Sequence, residues 1–220
     1  MAPEMHTVAP APGKGRHPAD SNQVLDVSSL PTYAFSHRSL MWWGTFGMML
    51  IEGTVFGLMV FSYFYLASHA DVWPMSRYAP DLAWGTLNTA VMIASAFPNH
   101  WAKHAAEAQD LRKVRGWLLA CMMFSFLFLA IRVLEFRHLN VAWDSNAYGS
   151  AVWLLLGLHT VHLITDTVDS LVLTVLMFYE PVGGKSYVDV SENGLYWYFV
   201  VFTWLPIYAV IYLVPRWIAS

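Results

Sequence analysis

Five long apolar runs dominate residues 40–217: Leu40–Ala67, Leu82–Trp101, Trp117–Phe136, Ala147–Tyr179 and Leu195–Trp217. Each reaches the roughly 20 residues that carry a helix across bilayer hydrocarbon at about 1.5 Å per residue. Backbone amides find no partner in hydrocarbon, so a crossing segment must satisfy them within itself, as a helix does. The alternating pattern of a transmembrane strand is absent, which argues against a barrel. The expected fold is all-α: an integral membrane bundle of about five transmembrane helices. The fourth run would be roughly 50 Å long as one helix, so it must tilt or project beyond the hydrocarbon. The second run is the weakest and holds Pro98.

Composition agrees. The chain is 57% hydrophobic and 12% charged, about half the charged fraction usual in soluble domains. Trp and Tyr gather at the ends of the runs, where amphipathic rings prefer the headgroup region. A net charge of −3 without a basic block excludes nucleic acid as a partner. The single cysteine, Cys121, lies inside an apolar run, so neither a disulfide framework nor a thiolate metal cluster is expected.

Residues 1–38 are rich in Pro, Ala, Ser and His and show no period. They lack the apolar core of a signal peptide and read as a flexible N-terminal tail. Residues 39–220 form the transmembrane domain. The tail and the segments 102–116 and 180–194 fall on one side. They carry Lys14, Arg16, Arg38, Lys103, Arg112, Lys113, Arg115 and Lys185, against Arg77, Arg137 and Arg216 on the other. The excess of positive charge inside places the N-terminus in the cytoplasm and the C-terminus outside.

Ionisable groups in hydrocarbon are costly unless paired or wet, so each asks for a reason. Glu52 sits near mid-bilayer in the first run. It should be protonated or hydrogen-bonded inside the bundle, either as a proton-linked or lipid-cleft residue or as a packing acid. Gly53 and Gly57 beside it allow close helix approach. Asn88 in the second run suits an interhelical hydrogen bond. Arg132 and Glu135, three apart near the outer end of the third run, can pair and can also snorkel. In the fourth run His159, His162, Asp166 and Asp169 are spaced three, four and three, which suggests one polar helix face. Such a row runs along about 15 Å, so its members cannot converge on one ion, and no metal site is expected. The face should point into protein, with Glu52 as the partner at matching depth for His159 or His162.

Read together, these residues resemble the cytochrome c oxidase subunit III family, a component of haem-copper oxidases. Met41-Trp42-Trp43 through Ile51-Glu52-Gly53 to Phe61-Ser62-Tyr63-Phe64-Tyr65 is similar to its glutamate-bearing helix. Leu87-Asn88-Thr89, Ala94-Ser95 and Trp101-Ala102-Lys103-His104 resemble its next helix and basic loop, and Glu135-Phe136 its acidic-aromatic pair. Tyr148-Gly149-Ser150, Gly157-Leu158-His159 and His162 resemble its double-histidine helix. Glu192, Gly194, Tyr196-Trp197, Phe199-Val200, Trp204 and Tyr208 resemble its last helix.

The resemblance implies a five-helix bacterial-type member in the inner (cell) membrane. It implies a non-catalytic accessory subunit of a proton-pumping terminal oxidase of aerobic respiration. Such a subunit packs on catalytic subunit I among the other oxidase subunits. It supports proton uptake, holds phospholipid in a cleft near Glu52, and leaves haem and copper to the partner. Tyr198 and Val201 stand where typical members carry a histidine and an aspartate. Quinol oxidase subunit III and the accessory membrane protein of nitric oxide reductase are alternatives within the superfamily. An independent metal- or haem-binding membrane protein built on His159, His162, Asp166 and Asp169 is the alternative of another class.

Overall fold

A computed structural model of the chain describes residues 33–76, 79–179 and 183–218. Most of the tail, with Lys14 and Arg16, lies outside the described residues, as does Arg77. The described residues form five long helices and no strand. These are α1 (Leu40–Ser68), α2 (Leu82–Glu107), α3 (Leu111–Arg137), α4 (Ala147–Tyr179) and α5 (Gly184–Tyr208). A π turn over Ala209–Leu213 continues α5 into a short α6, Val214–Ile218.

Side-chain caps mark three of the starts, because the first amides of a helix have no partner within it. Ser39 Oγ accepts from Met41 N at 3.1 Å. Asp110 Oδ1 accepts from Lys113 N at 3.2 Å. Asn146 Oδ1 accepts from Gly149 N at 2.8 Å. Asp110 lies outside the membrane-spanning segments. Its hydrogen bonds to Lys113, side chain first and backbone next, hold its carboxyl below the usual carboxylate range.

Three helices, α2, α3 and α5, clearly exceed the apolar runs that signal them. α2 continues to Glu107 and α3 begins at Leu111, so only residues 108–110 remain of the expected segment 102–116. α5 begins at Gly184, inside the expected segment 180–194. The polar extra turns of α2 and α5 pack on each other. Asn99 Nδ2 donates to Gly194 O at 2.9 Å, and Lys103 Nζ donates to Ser191 Oγ at 3.0 Å. The segment from α5 to α6 and three other helices, α1, α3 and α4, are long and apolar enough to cross a membrane. α2 has the length, at 26 residues, but Asn88, Ser95 and Asn99 dilute its apolarity, and these face inward.

Helices α2, α3, α4 and α5 close a ring, each packed on the next and α5 back on α2. α1 lies outside it in the groove of α4 and α5 and buries only Phe56 and Tyr63 fully. The main core gathers Met92, Phe128, Tyr148, Trp197 and Trp204. A second apolar cluster, with Ala106, Val114, Leu118 and Met177, closes the end where α2 turns into α3. There Arg115 Nε donates to Met177 O at 2.7 Å. At the other end Arg216 donates to Pro80 O at 2.6 Å.

Gly85 leaves the space that the Tyr212 ring occupies. A Cβ there would meet ring atoms of Tyr212 at 2.5–2.8 Å, whereas one at Gly57 would meet nothing within 4 Å. Gly85→Ala is therefore expected to displace Tyr212 and cost about 1–3 kcal/mol, the usual range for overpacking. Gly57→Ala should be silent in the same thermal-unfolding assay.

Candidate functional site

Four helices and the π turn converge on one buried ion pair. Arg132 and Glu135 are three apart on α3 and share a face, and Arg132 NH1 lies 2.9 Å from Glu135 Oε2. Both are 1% exposed, so they pair as the spacing allows and do not snorkel. Partners reach the charges inside instead. Asn88 Nδ2 on α2 donates to Glu135 Oε2 at 2.9 Å, and Tyr212 OH donates to Oε1 at 2.6 Å. The Trp204 ring lies 4.1 Å from the Arg132 guanidinium carbon, a cation–π contact. Trp204 Nε1 in turn donates to Thr89 Oγ1 at 2.8 Å.

His159 completes this hub. Its Nε2 faces the Val200 carbonyl at 3.1 Å, and its Nδ1 faces Arg132 NH2 at 3.3 Å. A carbonyl only accepts and a guanidinium only donates, so the geometry fits a neutral ring with the proton on Nε2. The ring also stacks near Trp204, with centroids 4.9 Å apart.

The second polar centre joins α1 to the ring. Tyr196 OH on α5 donates to Glu52 Oε2 at 2.8 Å, and His162 Nε2 lies 3.5 Å from Glu52 Oε1. His162 Nδ1 is 2.8 Å from the Leu158 carbonyl, which requires its proton. Nε2 of a neutral ring then carries a lone pair toward Glu52. The pair ties α1 to α4 at this point.

The α4 row divides between two environments. At 100° per residue, His159 and Asp166 lie about 20° apart around the helix, and so do His162 and Asp169. The first two are buried, His162 is half-buried and Asp169 is exposed. Asp169 is exposed in this chain, and Asn193 Nδ2 donates to its Oδ2 at 3.0 Å. Of the two histidines, His162 faces Glu52, and His159 is taken by Arg132. Tyr196, Trp204 and Tyr212 were not singled out as site residues. A usable signal was the aromatic row Trp204, Tyr208 and Tyr212, spaced by four and so sharing one side of a helix.

Beside Glu52 a cleft of about 570 Å3 opens between α1, α4 and α5. Glu52, Asp166, Asp169, Asp189, Glu192 and Tyr196 line it with apolar residues, and among the described residues no Lys or Arg does so. Among the described residues no three His, Cys, Asp or Glu side chains are grouped to hold a metal ion.

Fold and site define an integral membrane helical bundle with a buried polar hub. A family model described as cytochrome c oxidase subunit III matches residues 24–216. Cytochrome c oxidase subunit 3 of Thermostichus vulcanus is 24% identical over 84% of this chain and 92% of its own length. The subunit 3 of Synechocystis sp. is 25% identical over 80% of this chain and 77% of its own. A probable cytochrome c oxidase subunit 3 of Nocardia farcinica is 29% identical over 64% and 71%. The chain belongs to the cytochrome c oxidase subunit III family.

Removing one member of the buried pair should be severe. Arg132→Met or Glu135→Leu alone should cost about 3–5 kcal/mol, because each leaves an uncompensated buried charge. The double substitution should recover part of that loss. A double-mutant cycle read by thermal unfolding checks this, and strictly additive losses would contradict it.

Proposed function

We propose that the chain is the non-catalytic accessory subunit of a proton-pumping haem-copper terminal oxidase in a bacterial inner membrane. The observation that carries this reading is the family match across residues 24–216. The chain packs on catalytic subunit I, which carries the haem and copper of electron transfer to O2. Its own histidines support that division of labour. His159 is held by Arg132 and the Val200 carbonyl, and His162 Nδ1 by a carbonyl of its own helix. The N-terminus lies in the cytoplasm and the C-terminus outside, in line with the Lys and Arg bias.

The cleft between α1, α4 and α5 holds phospholipid, and Glu52 beside it supports proton uptake by the complex. Two features support this role. Tyr196 and His162 hold the carboxyl, and it lines the cleft wall.

Oxidase purified without this chain should start at the normal turnover rate and lose activity over fewer turnovers than the complete complex. The complex carrying Glu52→Gln should assemble, because the amide keeps the shape and an acceptor for Tyr196, and its active lifetime should fall between the two. Full activity over many turnovers without the chain would contradict the role.

A further inference from the structure

Asp166 borders two spaces. On one side it lines the open cleft of α1, α4 and α5. On the other it lines a small chamber of about 10 Å3 between α2, α3, α4 and α5. A volume near 10–15 Å3 accommodates about one water-sized particle. The side chain is 4% exposed, and its Oδ1 has no hydrogen-bond partner.

The chamber is lined by several oxygen acceptors, and part of its donor set is engaged elsewhere. Asn99 Nδ2 donates to Gly194 O, and Asn193 Nδ2 donates to Asp169 Oδ2. Trp197 Nε1 donates to Ser95 Oγ, and Ser95 Oγ donates to Met92 O. Ser170 Oγ donates to Asn193 Oδ1. Asp166 Oδ1, Asn99 Oδ1 and lone pairs of Ser125 and Ser170 remain to accept, beside the second N–H of each amide and the Ser125 hydroxyl. No Lys, Arg or His lines the space.

We propose that this chamber binds one small monovalent cation of the Na+ class. Asp166 is its charged ligand, and oxygens of Ser125, Asn99 and Ser170 complete the shell. Hard oxygen donors suit a hard cation. A single carboxylate balances one positive charge, whereas tight divalent sites use several acids. A cation also removes the cost of an unpaired buried carboxylate. The entry route is the cleft. Its carboxylates, Asp169, Asp189 and Glu192 beside Asp166, concentrate cations at the approach, as like charges in a low-dielectric groove do.

The test uses the purified oxidase complex exchanged into choline chloride and titrated with NaCl at constant ionic strength. Radioactive Na+ retained per complex and the thermal unfolding of this chain are read together. One saturable Na+ should be retained that the Asp166→Asn complex lacks, and the chain should unfold at a higher temperature in Na+ than in choline. Ser125→Ala keeps the carboxylate and should weaken Na+ by about tenfold, the value of one lost polar contact. It serves if Asp166→Asn fails to assemble. Equal retention by the wild type and Asp166→Asn, or unchanged Na+ affinity in Ser125→Ala, would overturn the site. So would an infrared band of a protonated carboxyl in saturating Na+ that Asp166→Asn removes, since Asp166 would then be neutral beside a water.

Discussion

The ion pair of Arg132 and Glu135 sets the terms for the rest of the bundle. Two charges removed from water lose several kcal/mol of hydration each, and attraction alone recovers this only with good geometry and further hydrogen bonds. The sequence supplies those bonds from separate elements. Asn88 comes from α2, His159 from α4, Trp204 from α5 and Tyr212 from the π turn. Each partner must arrive at a set depth and rotation, so the pair specifies how the four ring helices meet. The glycine at position 85 belongs to the same design, because only hydrogen there leaves room for the Tyr212 ring.

The two histidines of α4 show how position divides similar chemistry. His159 faces the ring interior, where its acceptor nitrogen meets a cation and its donor a carbonyl. His162 lies about 60° around the helix, at the rim, where α1 brings a carboxyl. The first arrangement is saturated and suits a structural role. The second lies beside a cleft lined with carboxylates. The proposed functions therefore sit on the outer, less buried side of the ring, where α1 is attached by few buried residues. A subunit that supports a neighbour's chemistry needs a rigid body and an adjustable face, and these two polar centres provide one each.

Much of this was legible in the chain. The apolar run Ala147–Tyr179 coincides with α4, because that helix is apolar around most of its girth. The helix ends of α2 and α5 were not legible. Their outer turns carry Lys103, Ser191 and Glu192, which pack on neighbouring elements rather than on lipid, and an apolarity pattern does not register such contacts. Spacing alone indicated that Arg132 could meet Glu135, but burial of the pair depends on Trp204 and Tyr212, about 70 to 80 residues away. Asp169 lay outside the buried row for a local reason, since ten residues rotate a helix about 80° short of three full turns. That rotation could have been read from the spacing.

The central claim is that this chain serves a haem-copper enzyme without a redox centre of its own. The most direct test is to purify complexes through a tag on this chain, then separate the chain in mild detergent and record metal content and optical spectra of both fractions. The account predicts one haem-copper catalytic subunit per chain in the complex, with all haem and copper in the fraction that lacks the tag. A chain that purifies alone and carries haem absorbance abolished by His159→Ala would contradict it.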